Sequence, residues 1–196
     1  MDILTQNRGR YRWFYTSSGK LVVGGKNAMQ NEEIVHQAVS SGKEMLVMHT
    51  SEPGSPFCVV LSDMGKISKQ DRMECAVFTG CFSRAWRARK RKAEIDVFST
   101  TQLYKEKSMK AGTWGVKSKI ERISVSLELA LTRQKGLLRA VPPSVVSKGE
   151  VLVMLSPGTI DKTDMVPKLE LEIDEPFRQE ELLAALPAGG SKVVQG

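Results

Sequence analysis

The sequence predicts an α+β fold with a mixed or antiparallel sheet, two main helices and a small β-rich C-terminal extension. One observation behind this is the strict alternation of apolar and polar residues from position 123 to 131, which is typical of a half-buried strand. Another is a pair of segments with apolar residues at helical spacing, each preceded by a helix-capping residue. The length of 196 residues suits one well-buried core with an appendage.

The first predicted elements are a hairpin and a helix. Residues 10–16 and 20–24 indicate the hairpin, because a Ser-Ser-Gly turn separates two runs suited to strands. Asn27 is a good N-cap for a helix that begins near Ala28. Gly42 stands where such a helix would end.

Two short apolar strands are predicted next, at residues 44–49 and 57–61, with a loop rich in Pro, Gly and Ser between them. Ser68 predicts the start of a second, longer helix that runs to about Lys92. The alternation at residues 94–97 then predicts another strand.

A proline pair within residues 141–144 marks a break in the pattern. Beyond it we expect a strand at residues 151–155 and a turn at residues 157–158. Apolar residues alternate with glutamates over residues 169–173, which is a strand pattern, and residues 175–186 predict a short helix. The C-terminal part is therefore expected to be rich in strands.

These boundaries predict a main domain at residues 1–143, a small β-rich acidic extension at 144–187 and a disordered tail at 188–196. The formal net charge of the chain is +7. Residues 164–196 hold seven acidic and three basic side chains, a balance of −4, so residues 1–163 carry +11. A basic body with an acidic end fits a domain that binds a polyanion.

Other composition features limit the cellular context. Cys58, Cys75 and Cys81 form no C-x-x-C pattern, and the chain has two histidines, so a disulfide framework or a zinc site is disfavoured. No apolar run approaches the roughly 18 residues of a membrane span, and the N-terminus lacks a signal-sequence pattern. We expect a cytoplasmic protein with no membrane partner, no metal and no cofactor.

The end of the second predicted helix is strongly basic. Between positions 84 and 92 there are six basic residues and no acidic one: Arg84, Arg87, Arg89, Lys90, Arg91 and Lys92. Trp86 is interleaved as a stacking surface, and Lys105, Lys107 and Lys110 follow shortly after. Cations that complement a helix dipole account for two or three of the six, so the excess favours nucleic-acid contact over a solvated charge run. Three of the arginines lie close to the apolar face, so the last turns should overhang the sheet or border a groove.

A second candidate site is the glycine-rich corner before the first helix. Lys26 and Asn27 stand at a helix N-terminus after two glycines, an arrangement suited to holding a phosphate. The alternative is that these glycines only allow the backbone to turn.

The segment from Tyr15 to Glu33 also resembles the opening of the NFACT RNA-binding domain, which occurs in ribosome quality-control factors and as stand-alone proteins. The shared pattern is an aromatic strand, a Ser-Gly turn, an apolar strand, a Gly-Gly-Lys-Asn corner and Gln-Asn-Glu. Further pieces recur in the same order through residues 10–143: the histidine and Pro-Gly-Ser loop at 49–55, the alanine-containing helix at 76–85, and a strand followed by a Lys-x-Gly turn.

The resemblance implies an RNA-binding module without a catalytic residue, which contacts tRNA or rRNA on or near the large ribosomal subunit. Asn31 and His49, which lie in the matching motifs, complete the predicted set of RNA-contacting residues. Nothing in the chain looks like the larger N-terminal domain or the coiled coil of full-length quality-control factors, so a direct role in extending stalled chains is doubtful.

Other readings stay open at this point. A nucleotide-dependent enzyme is disfavoured because no glycine segment has P-loop spacing. An accessory factor that presents tRNA to an RNA-modification enzyme is the alternative function. A third possibility is protein contact through the acidic residues 164–186, either with a basic protein or with the chain's own basic patch.

Overall fold

The structure, a computed structural model, describes residues 3–118 and 120–194. These residues form both helices and strands, and every strand pair is antiparallel, which confirms the predicted α+β class and settles the sheet type. Among the described helices, none combines the length and the apolar composition that a membrane crossing requires.

The α-helices of the described chain are α1 (Ile3–Gln6), α2 (Ala28–Ser40), α3 (Lys69–Cys81), α4 (Arg84–Arg87), α5 (Lys162–Glu172) and α6 (Gln179–Ala185). The strands are β1 (Arg12–Tyr15), β2 (Leu21–Gly24), β3 (Leu46–Thr50), β4 (Cys58–Val60), β5 (Lys92–Ser99), β6 (Leu103–Tyr104), β7 (Gly115–Val116), β8 (Glu121–Ser126), β9 (Leu129–Gln134), β10 (Leu137–Val141), β11 (Val153–Ile160) and β12 (Ser191–Val194). Short 3₁₀ turns lie at residues 8–10, 64–66, 100–102, 143–145 and 148–150.

A six-stranded sheet in the order β1-β2-β4-β3-β5-β8 forms the centre of the main domain. Strands β2, β4 and β3 are nearly continuous apolar runs because both faces of the sheet are covered there, and neighbouring residues point into different cores. Val23, Val47 and Val59 pack with α2 on one face, while Val22, Met48 and Val60 pack with α3 on the other. The two predicted main helices therefore lie on opposite faces of this sheet.

A second sheet, in the order β10-β9-β11-β12, carries the C-terminal part. Its apolar residues join the core beneath α3 and pack with α5 and α6. Strands β9 and β10 precede the predicted boundary at residue 143, whereas β11 and β12 follow it, so that boundary falls inside one sheet. The division into separately folding parts stays a prediction.

The second predicted helix is shorter than expected. It ends at Cys81 instead of continuing to Lys92, and Ser83 starts the separate one-turn helix α4. The Ser83 hydroxyl donates to the Gly80 carbonyl and accepts from the Ala85 N–H, so the side chain satisfies backbone groups at both helix ends. The chain then enters β5, and most of the basic cluster lies beyond the main helix.

The alternation at residues 123–131 belongs to two strands rather than one. Strand β8 pairs with β5, while β9 pairs with β10 and β11, and Leu127 bridges the two sheets. The alternation is uninterrupted because Val125, Leu127, Leu129 and Leu131 all enter the same core. The pattern indicates that these residues share one core, but it does not indicate where the chain passes from one sheet to the other.

The predictions for the C-terminal part were wrong in three places. The turn expected at residues 157–158 lies within strand β11. Residues 169–173 belong mainly to helix α5, since Met165, Val166 and Leu169 are buried at helical spacing and Leu171 is 90% exposed. The predicted disordered tail contains β12, which pairs with β11. Residues 195–196 of that tail lie outside the described residues.

Candidate nucleic-acid interface

A cleft of about 730 Å³ opens between the corner before α2, the loop joining β3 to β4, and α4. Strand β5 and residues 112–116 contribute to its lining. The charged side chains that line it are Arg12, Lys26, Arg84, Arg87 and Asp96, and the aromatic ones are His49, Phe57, Phe82, Phe98 and Trp114. The cleft therefore collects cations and rings from segments that are distant in sequence.

Helix α4 supplies two of the cations. The break after α3 redirects the chain so that Arg84 and Arg87 both line the cleft. The Arg84 backbone N–H donates to the Gly54 carbonyl at 2.8 Å, which ties α4 to the β3–β4 loop. Gly54 has φ = +107°, and a Cβ there would lie 2.4 Å from the Arg84 Cδ. Glycine is required because the arginine stem occupies the space over a left-handed backbone.

The β3–β4 loop is held rigidly from both sides. The Asn31 side chain donates to the Ser55 carbonyl at 3.3 Å and accepts from the Phe57 N–H at 3.0 Å. The Thr50 N–H donates to the Ser55 hydroxyl at 2.9 Å. Asn31 is 8% exposed, and its amide bonds to backbone groups of the loop. Its role in the structure is therefore to position the wall of the cleft.

The corner before α2 is built as the sequence predicts, but its glycines serve packing. Asn27 caps α2 by accepting from the Gln30 N–H at 2.9 Å, and the Gln30 side chain accepts from the Lys26 N–H at 3.0 Å. A Cβ on Gly25 would lie 2.2 Å from the Asn31 Oδ1, so this glycine allows the chain to approach α2. Lys26 and Asn27 are exposed and line the cleft.

Arg12 is a cleft cation that sequence reasoning missed. It lies in strand β1 with its guanidinium 4.8 Å from the centre of the Phe82 ring. Its Nε is buried and, within the described residues, has no hydrogen-bond partner. Burial lowers the pKa of this guanidinium, which nevertheless remains charged at neutral pH. A strand position offers no sequence signal for such a role beyond the occurrence of arginine in an otherwise apolar run.

His49 lines the cleft from β3. Its ring stacks on Phe57 with centroids 4.5 Å apart, and its Nδ1 lies 2.7 Å from the Thr50 carbonyl. That contact assigns the proton to Nδ1 and leaves Nε2 as an acceptor. Burial lowers the pKa of His49, so the ring is neutral at physiological pH. It can stack or accept a hydrogen bond, but it adds no charge to the site.

Trp86 does not form the stacking surface that the sequence predicted. The side chain is 0% exposed, and its indole N–H donates to the Ser191 hydroxyl at 3.3 Å. The indole is an apolar anchor between α4 and β12, and its position between arginines in the sequence is misleading. In place of Trp86, Phe57, Phe82 and Trp114 line the cleft.

The rest of the predicted basic cluster is divided. Lys90 forms an ion pair with Glu52 at 2.8 Å, which cancels its charge locally. Arg89, Arg91 and Lys92 are exposed but do not line the cleft. Arg89 has φ = +57°, since the chain turns there between α4 and β5. The structure thus brings Lys26, Arg84 and Arg87 to the cleft, while Lys90 and Lys92 line a neighbouring cavity that shares Arg84 with it.

The lysines at positions 105–110 lie in the loop between β6 and β7. Lys105 binds Glu32 at 2.7 Å and also donates to the Lys110 and Thr113 carbonyls, so its ammonium holds this loop against α2. Lys107 and Lys110 are exposed. Neither lines the cleft, although Trp114 at the end of the same loop does.

Other chemistry is not prominent in the described part of the chain. Within residues 3–118 and 120–194, no group of three or more His, Cys, Asp or Glu side chains is arranged to hold a metal ion. Two of the acidic residues in segment 164–186, Glu175 and Glu181, lie 2.8 and 3.7 Å from Arg133, which is on β9 and outside the cleft. Protein contact through this segment stays a prediction.

Comparison with solved structures shows a related fold. The C-terminal part of the fibronectin/fibrinogen-binding protein from Streptococcus suis aligns with a TM-score of 0.53 and 18% identity, over 60% of this chain and 45% of that one. The likeness concerns the fold alone.

Comparison of sequences shows partial relatives. The ribosome quality control complex subunit NEMF of Homo sapiens and that of Mus musculus are each 31% identical over 81 residues. This match spans 41% of the chain and 7% of each relative. Residues 10–118, more than half of the chain and including nearly all of the cleft, match the profile of the NFACT protein RNA binding domain, and the chain therefore belongs to that family.

Proposed function

We propose that this protein binds RNA without catalysing a reaction, and that the RNA lies in the cleft between α2, the β3–β4 loop and α4. The observation that carries the proposal is the convergence of four cations, Arg12, Lys26, Arg84 and Arg87, on one cleft that is also lined by partly exposed rings. Membership of an RNA-binding domain family supports the same conclusion.

The cleft offers two kinds of contact to a nucleic acid. Arginine and lysine bind phosphate oxygens and supply affinity that depends on salt but little on sequence. The partly exposed Trp114 offers a ring on which an unpaired base can stack. Asp96, the acidic residue of the lining, binds Arg122 and the Ser51 hydroxyl, so its charge is largely compensated. This combination favours a flexible single-stranded segment or loop over a rigid duplex.

The side chains that could act as nucleophile or base are unsuited to catalysis. All three cysteines are buried and unpaired, and burial raises the pKa of the Cys58 thiol to about 12. The Cys75 and Cys81 thiols are raised well above their ordinary value for the same reason. Thiols in this state are poor nucleophiles. His49 uses Nδ1 for the Thr50 carbonyl, which supports a structural or binding role.

The RNA is proposed to be tRNA or rRNA encountered during ribosome quality control. Support comes from the relatives named as ribosome quality control complex subunits, of which this chain spans only a small part. The experiment is ultraviolet crosslinking in cells followed by sequencing of the attached RNA. Enrichment of tRNA or of large-subunit rRNA is the expected result, and recovery of neither above an uncrosslinked sample would refute the proposal.

A binding assay with the pure protein tests the cleft itself. Arg87→Glu should weaken binding of a fluorescent single-stranded RNA at least tenfold, since it replaces a phosphate-binding cation by an anion. The matched control is Lys69→Glu, which makes the same charge change at the exposed N-terminus of α3. The other end of α3, which precedes α4, lies about 20 Å away along the helix. Equal losses in both variants would show that net charge matters and the cleft does not.

A further inference from the structure

A second, smaller cavity of about 80 Å³ adjoins the cleft and shares Arg12 and Lys26 with it. Arg12, Lys26 and Arg139 line it, Arg8 shares the Trp13 ring with Arg139, and Lys162 is close enough to Arg12 and Lys26 to be affected by their charge. We call these five cations the junction cluster. Arg139 is on β10 and Lys162 begins α5, so both lie beyond residues 10–118, which match the family. The cluster therefore combines the family domain with the part of the chain that follows it.

Aromatic rings hold the arginines of the junction cluster in place. Arg8 and Arg139 both lie over Trp13, with guanidinium carbons 5.6 and 4.2 Å from the ring centroid. Arg12 lies over Phe82 at 4.8 Å. Contacts of this kind orient a guanidinium while leaving N–H groups at its edge free to donate.

These arginines are partly exposed, but each has one buried donor that the described residues leave unused. Within the part of the chain that the structure describes, the Nε atoms of Arg8, Arg12 and Arg139 are buried and lack a hydrogen-bond partner. Buried polar atoms are almost always paired, and an exception in a native protein calls for an explanation. Three such donors in one cluster are available to an anionic acceptor.

Carboxylates do not compensate the cluster. Among the described residues, none of its members forms an ion pair with an acidic side chain. Glu181 is the carboxylate that acts on Arg139, but it also accepts from the Leu138 N–H and lies 3.7 Å from Arg133. The surplus of positive charge is therefore real.

The mutual influence of the cations agrees with this geometry. Burial and, to a smaller extent, the neighbouring Arg12 and Arg139 lower the pKa of Lys26. Burial, Arg12 and Lys26 lower the pKa of Lys162 in the same way. Crowded cations of this kind are relieved when an anion binds among them.

We propose that the junction cluster binds a phosphate group, and that the phosphate belongs to the backbone of the RNA that occupies the cleft. The inference rests on the proposed function, and it extends the RNA path onto β10 and α5. A cavity of about 80 Å³ is far below the several hundred Å³ of a nucleoside-sized pocket, so the site takes a phosphate and not a base. A free phosphate or pyrophosphate offers the same chemistry, and the experiment separates the two sources.

The test compares the full chain with the double variant Arg139→Gln/Lys162→Gln. The first measurement is the salt dependence of binding to a fluorescent single-stranded RNA. The slope of log K against log salt should fall in magnitude by about 0.7, because the double variant removes the neutralisation of one phosphate. The matched control, Lys168→Gln/Arg178→Gln, removes two exposed cations from the same part of the chain and should leave the slope unchanged.

The second measurement is the melting temperature with and without inorganic pyrophosphate. It does not depend on RNA binding, so it tests the phosphate site even if the proposed function fails. A reduced RNA slope supports the backbone as the source, whereas stabilisation of the wild type alone by pyrophosphate supports a free phosphate. If wild type and variant agree in both measurements, the junction cluster is not a phosphate site, and RNA binding by the wild type then still supports the cleft.

Discussion

Two cations on α4 and one neighbouring ion pair make a sharp test of the cleft. Arg84 and Arg87 line it, whereas Lys90, three residues further on, is bound to Glu52 at 2.8 Å. From sequence these residues belong to one basic run, but the structure gives them different roles. Arg84→Gln/Arg87→Gln removes two phosphate-binding groups. Lys90→Gln/Glu52→Gln removes the ion pair and leaves the net charge unchanged.

The expected magnitude follows from counting contacts. A single-stranded RNA releases about 0.7 counterions for each phosphate that a protein neutralises, so losing two contacts lowers the salt slope by about 1.4. The ion-pair variant should keep the wild-type slope. It should also keep the wild-type stability to within about 1 kcal/mol, because side-chain exposures of 46% and 75% mark a surface pair.

The assay is fluorescence anisotropy of a labelled single-stranded RNA at several salt concentrations, with circular dichroism as the check on folding. The reasoning fails if the arginine variant retains the wild-type slope, since its side chains would then not contact phosphate. It also fails if the ion-pair variant loses as much slope as the arginine variant, because Lys90 would then be a contact in its own right.

Three further predictions concern folding, the loop and pH. Trp86→Phe should lower the free energy of unfolding by about 1 kcal/mol or more, because a hydrogen bond is lost and a small cavity is left. RNA affinity should stay within twofold of the wild type. A loss of affinity without a loss of stability would show that Trp86 stacks on RNA after all. Gly54→Ala should weaken RNA binding by displacing Arg84, whereas Gly65→Ala, which meets no atom within 4 Å, should not; equal titrations would contradict the loop geometry. Because the pKa of Lys26 is lowered, this lysine loses its charge at a pH below the ordinary lysine value of 10.5, and RNA affinity should fall as the pH is raised through that range. Lys26→Arg should move the fall in affinity to higher pH. Identical pH profiles for the two proteins would exclude the contact.

Local chemistry made the helices and most strands predictable. Asn27 and Ser68 cap α2 and α3 as expected, because a capping side chain acts on backbone groups three residues away. Periodicity likewise located the buried residues, since it records which side chains face the core. It did not separate β8 from β9, because Leu127 carries one core through a change of sheet.

The candidate site was predictable only in part, because it depends on contacts between distant segments. Lys26 and Arg87 were identified as separate signals, and the fold brings them to one cleft. Trp86 was misread because its partner, Ser191, lies 105 residues away in a segment expected to be disordered. The sequence around Arg12 did not indicate its role, because the buried Nε donor without an acceptor among the described residues becomes apparent only from the packing in the structure.

The central claim is that RNA lies in the cleft, and the most direct test is photo-crosslinking of a bound single-stranded RNA followed by mass spectrometry of the attached peptides. A partly exposed ring in the cleft is a favourable site for attachment, so crosslinks should fall on the peptide that contains Trp114. Crosslinks confined to segments away from both the cleft and the junction cluster, such as the N-terminal turn of α3, would contradict the account.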